Sequence, residues 1–109
     1  MKHKITLPQL KKYDITQKVI MALADAESRV ILFSIIRKGK TASDLSGSLK
    51  IPLSSVYKKL SDLENLTLVR VEKTVLSEKG RRFKVYRSRI NKAEISIKKP
   101  EPTLSLSAN

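Results

Sequence analysis

Two clusters of side chains in this 109-residue sequence have types and spacing suited to gripping an anionic polymer. The first is Ser54, Ser55, Tyr57, Lys58 and Lys59, which sets small hydroxyls, a phenol and two ammonium groups close together. On a helix whose opposite face is anchored in a core, such groups can enter a major groove about 12 Å wide and hydrogen-bond base edges or phosphate oxygens. The second cluster is Lys79, Arg81, Arg82 and Lys84, four cations in six residues. Each cluster has a plainer reading. Lys58 and Lys59 suit the solvated face of any surface helix, Tyr57 suits packing back onto a neighbouring strand pair, and exposed cations blunt the edge of a hairpin. Lysines within one turn of Ser54 and Ser55 favour contact, more with phosphates than with bases, and four cations exceed what an edge needs.

Nothing in the sequence assembles a catalytic centre. Gly39, Gly47 and Gly80 form no phosphate-cradling loop, no histidine is paired with a nucleophile, and Glu72, Glu78 and Glu94 are scattered among cations. The expectation is a protein that is not an enzyme and carries no cofactor. The absence of cysteine removes disulfides and thiolate metal sites, and the single histidine, His3, has no ligand partners near it, so no metal is expected.

Charge indicates the partner. Against 10 Asp and Glu stand 23 Lys and Arg, a formal net charge of +13, and neutralising a polyphosphate releases condensed counterions whatever its sequence. No run approaches the ~20 apolar residues of a membrane span, and MKHKITLPQLKK lacks the apolar stretch of a secretory signal. The expected location is the cytoplasm, associated with the nucleoid.

The periodicity supplies elements to hold the two clusters. Asp14 with Gln17 reads as a helix start, and Ile15, Val19 and Leu23 follow at helical spacing over residues 15 to 24. Asp25 caps a second helix from Ala26 to Lys38, apolar on nearly every face and ended by Gly39, which suits burial in the domain or in a dimer. Thr41 and Asp44 form a capping-box pattern ahead of a short third helix. Lys50-Ile51-Pro52 breaks it, and a fourth helix over residues 53 to 65 carries Val56, Leu60 and Leu63 behind the first cluster. The period then changes to two: residues 68 to 88 read as a hairpin turning at Ser77-Glu78-Lys79-Gly80, a basic wing. Ala93, Ile95 and Ile97 suit a strand or a dimer contact, and for so short a run also a helix. The organisation expected is a basic arm over 1–13, an α+β winged helix-turn-helix domain over 14–97 with about four helices and a two-stranded wing, and a disordered tail over 98–109.

Thr41-Ala42-Ser43-Asp44-Leu45, the run from Leu49 to Leu63, and Leu68-Val69 together resemble the winged-helix core of ArsR-like regulators. Ala22-Leu23-Ala24-Asp25 followed by Ser28-Arg29-Val30-Ile31-Leu32 resembles their helix-to-helix junction, so the likeness spans roughly residues 19 to 89. It implies a DNA-binding transcription regulator acting as a homodimer, with the fourth helix in the major groove and the hairpin on an adjacent groove or the phosphate backbone. Carried over by position, the DNA contacts are Ser54, Ser55, Tyr57, Lys58 and Lys59 with Lys79, Arg81, Arg82 and Lys84 of the wing. Metal-sensing members carry cysteines at the start of the third helix, where this chain has Thr41 to Leu45, so metal sensing is not expected and no effector site is assigned. Two other functions fit the same charge and pattern: an architectural protein that coats DNA with little sequence preference, and a winged helix used for RNA or for docking.

Overall fold

The computed structural model describes residues 7–109, with side chains from residue 15 onward, so the first part of the expected arm, including His3, lies outside the described residues. Four helices come first, α1 (Leu7–Ala24), α2 (Ala26–Ser34), α3 (Ala42–Leu49) and α4 (Leu53–Asn65). Two antiparallel strand pairs follow, β1 (Val69–Leu76) with β2 (Arg82–Ser88) and β3 (Ile90–Ser96) with β4 (Thr103–Ala108). This is the winged helix-turn-helix arrangement, extended by a second hairpin.

One core joins the helices to the root of the wing. Ile31, Leu32, Ile35, Leu45, Val56 and Leu60 are fully buried, and Leu63, Leu68, Val69 and Tyr86 are nearly so. The helix-turn-helix forms where its local signals said it would. Thr41 Oγ1 accepts from Asp44 N at 3.1 Å while Asp44 Oδ2 accepts from Thr41 N at 3.2 Å, the reciprocal box that starts α3. At its far end Lys50 adopts a left-handed conformation, φ 56°, and Ser46 Oγ donates to Ile51 O at 2.6 Å, which turns the chain into Pro52 and α4.

Three boundaries differ from the sequence reading. Helix α1 begins at Leu7 instead of residue 15, so position 14 lies inside it and residues 7–13 are helix, not arm. Pro8 stands in its first turn, where a missing N–H costs nothing. Helix α2 ends at Ser34 instead of Lys38, and the carbonyls just past its end find partners outside the helix. Ile35 O accepts from Ser88 N at 3.0 Å, and Ile36 O accepts from Arg87 Nε at 2.9 Å and Asn109 Nδ2 at 2.8 Å. Gly39 therefore does not end a helix. It lies against the wing, where a Cβ would fall 2.7 Å from Val85 Cγ1 and 3.2 Å from Tyr86 O.

The third difference is the segment 98–109, expected to be disordered. Residues Thr103–Ala108 form β4, paired with β3 in the register Ala93↔Leu106 and Ile95↔Leu104. The two prolines, Pro100 and Pro102, fall in the connection, where they interrupt no ladder. Leu104 and Leu106 alternate with polar residues, a period of two that the small polar composition masked.

Candidate nucleic-acid interface

Helix α4 displays its two faces by simple geometry. A step of about 100° per residue puts Val56, Leu60 and Leu63 on one stripe, all buried, and carries Ser54, Lys58 and Ser61 round to the far side. Ser54, Lys58 and Ser61 are exposed, and Tyr57 is 48% exposed at the flank. Ser55 is half-buried on the other flank. Pro52 gives the helix no side-chain cap, so the N–H groups of its first turn are left for solvent or an anion.

The two lysines of the cluster part company. Lys58 is exposed, with no ion pair among the described residues. Lys59 is turned back toward α2, with Nζ 2.8 Å from Asp25 Oδ2 and 3.7 Å from Glu27 Oε1. The bond from Lys59, reinforced by the Ser28 hydroxyl and N–H, lowers the Asp25 carboxyl to about 2, and Asp25 in turn raises Lys59 above its ordinary value.

The wing is aimed by one extra residue. Val71 pairs with Tyr86 and Lys73 with Val85, so Glu72 is a bulge that reverses which β1 side chains share a face with Tyr86. Below the bulge those are Val69 and Val71; above it, Thr74 and Leu76. Glu72 itself holds Arg87 Nη1 at 2.8 Å, and this guanidinium keeps its carboxyl below the usual range. The root of the wing is stitched to the start of α3: Lys40 N donates to Tyr86 O at 3.1 Å and Tyr86 N to Lys40 O at 2.8 Å. Burial raises the Tyr86 phenol, with Glu64 and Tyr57 adding to the effect. At the tip, Gly80 supplies the positive φ of 78° that the turn requires, and Arg81 N donates to Ser77 Oγ at 3.1 Å.

These elements bring Tyr57, Arg82 and Lys84 to one cleft of about 210 Å³, closed at its base by Tyr86 and lined on the α3 side by Thr41, Ala42 and Ser43. Lys79 and Arg81 stand apart at the exposed tip, beyond the cleft. The sequence reading places Ser61 on the outward face with Lys58 but does not single it out as a contact, and it missed the start of α3, where Thr41 was read as a cap and nothing more. It also missed Lys40 and Lys73, which border an open groove of about 480 Å³ on the opposite face of the wing, over Val75, Phe83 and Val85. No local signal places residues 40 and 73 together; their meeting follows from the β2 register.

No protein-family model and no curated protein matches the sequence. Among solved structures the chain is similar to NolR from Sinorhizobium fredii, with a TM-score of 0.61 over 80% of this chain and 81% of that one, at 18% sequence identity. The likeness is one of fold, and it covers the winged-helix architecture.

Proposed function

We propose that this winged-helix protein is a DNA-binding transcription regulator, ArsR-like in its core, that works in the cytoplasm as a homodimer on an inverted repeat. Helix α4 enters the major groove with Ser54, Ser55, Tyr57 and Lys58, and the wing lays Lys79, Arg81, Arg82 and Lys84 along the adjacent phosphates. The observation that carries this reading is the convergence of Tyr57, Arg82 and Lys84 on one open cleft beside the outward face of α4. A cationic surface of this shape matches a groove edge and the backbone that borders it. The homodimer is supported by the apolar side chains left in water: Ile15 and Met21 on α1 are 59% and 63% exposed, and Ile95 and Ile97 are 42% and 74% exposed. Blocking a promoter is the expected outcome of such binding, with no catalytic step and no cofactor. Among the described residues no group of side chains could hold a metal ion, and no helix is long and apolar enough to cross a membrane.

The test is selection from a randomised duplex pool in about 0.15 M salt, where screening trims unspecific attraction, followed by sequencing of the retained fraction. An enriched inverted repeat, with half-site centres about 34 to 36 Å apart, is the expected result. Binding without enrichment would favour an architectural coat. Binding to A-form RNA in preference to duplex DNA would favour the RNA reading, since the RNA major groove is too narrow for α4.

A further inference from the structure

The α1–α2 junction is an elbow held from both sides. Asp25 caps α2 by accepting from Ser28 N at 2.9 Å and Ser28 Oγ at 2.8 Å. Arg29 Nη1 closes the end of α1 by donating to Leu23 O at 2.8 Å and Ala24 O at 3.0 Å. Onto this elbow comes Lys59, 34 residues away in the chain, whose Nζ donates to the same Asp25 Oδ2 at 2.8 Å. Its side chain is 23% exposed, and Glu27 Oε1 at 3.7 Å adds a second negative charge. The contact lies on the flank of α4 away from Tyr57 and the wing cleft, so it ties the helix to the elbow from the side the cleft leaves untouched.

We infer that Lys59 is a positioning residue of α4: through Asp25 it fixes the attitude of the helix against the α1–α2 elbow, and with it which base edges Ser54, Ser55 and Tyr57 reach, without touching DNA. This rests on α4 being the recognition helix. The physical distinction from Lys58 is clear. A free ammonium that meets a phosphate displaces a condensed counterion and steepens the salt dependence of binding. An ammonium already neutralised by a carboxylate displaces none unless that pair breaks. Lysines 58 and 59, adjacent in sequence, thus act on different quantities, one on affinity for any duplex and the other on discrimination between duplexes.

The experiment compares the full chain with Lys58→Ala, Lys59→Ala, Lys59→Arg and Asp25→Asn variants. Each is titrated with the selected duplex and with a scrambled duplex of equal length at several salt concentrations. Lys58→Ala is expected to lower the salt slope by about 0.9 per bound copy on both duplexes. Lys59→Ala is expected to leave both slopes unchanged and to cut the specific-to-scrambled affinity ratio about fivefold, the size expected of one partly exposed ion pair. Lys59→Arg restores the ratio, Asp25→Asn reproduces the loss, and a fifth variant carrying both Lys59→Ala and Asp25→Asn loses no more than either single one. In the free protein, Lys59→Ala shifts the amide resonances of residues 25–28 and of the first two turns of α4. A slope lowered as far as by Lys58→Ala would show a direct phosphate contact and overturn the inference alone, as would an unchanged ratio or unmoved resonances. A wild-type chain with no preference between the duplexes would overturn the recognition reading, and this inference with it, even if the resonances move.

Discussion

The protein has two hairpins of nearly the same backbone and opposite surface chemistry. Both are antiparallel, both carry one register shift, and their strands are 8 and 7 residues in the wing against 7 and 6 in the terminal pair. Residues 69–88 hold seven Lys and Arg against two Glu, whereas residues 90–109 hold three Lys against two Glu and leave Ile95, Ile97 and Leu106 exposed. The wing is braced against α3 through Lys40 and Gly39; the terminal hairpin is fastened at its base, where Asn109 N donates to Arg89 O at 2.9 Å and Asn109 Nδ2 to Ser88 O at 2.9 Å. A two-stranded pair is marginal in water by itself, so each needs its brace. The difference teaches that side chains and anchoring, not strand pairing, set the two hairpins apart: one presents a cationic surface and the other leaves apolar side chains in water.

Breaking the braces should show how unlike they are. Gly39→Val drives a branched side chain into Val85 and the Tyr86 carbonyl, and urea denaturation is expected to show a loss of about 2 kcal/mol, the usual cost of overpacking. Asn109→Ala removes two side-chain bonds from the base of the terminal hairpin, one of them to Ile36 O, which keeps Arg87 as a partner. The loss there is expected near 1 kcal/mol, with amide exchange quickening in residues 90–108 and DNA affinity unchanged.

Charge removal sharpens the same contrast. Arg82→Ala or Lys84→Ala should each flatten the salt dependence of duplex binding by about one counterion, while Lys98→Ala and Lys99→Ala on the terminal hairpin leave it as it is. The smallest effect concerns pH. Glu72 has its carboxyl lowered by Arg87, so its contribution is complete above the ordinary glutamate range and is lost as pH falls through the lowered value. Thermal melts followed by circular dichroism from about pH 5 down to about pH 2 should show Glu72→Gln flattening the acid limb of stability, and amide NMR spectra of the wild type over the same range should show wing resonances broadening before those of the terminal hairpin.

What was legible in the sequence was what local chemistry decides. Thr41 and Asp44 announce α3, Pro52 and the Val56–Leu60–Leu63 stripe announce α4, and Gly80 marks the wing turn, because each signal acts within a few residues of its effect. The places that resisted are governed by partners far along the chain. Nothing near Ile35 says that its carbonyl will accept from Ser88, so α2 read four residues too long. Nothing near Lys59 says that Asp25 awaits it, so it read as a twin of Lys58. The strand at Thr103–Ala108 did carry a local signal, the alternating Leu104 and Leu106, but composition outweighed period in the reading.

The bond from Asn109 to Ile36 spans 73 residues, and that distance sets an order of events in time. Contacts close in sequence form fast, and closing a long loop comes at an entropic cost that must be met before any gain arrives. The wing's ties to the same stretch, from Ser88 N to Ile35 O and from Arg87 Nε to Ile36 O, close shorter loops, so the terminal hairpin is expected to dock after the wing. A hairpin that docks last is expected to open first, which amide exchange would show as lower protection in residues 90–108 than in α4 and the wing.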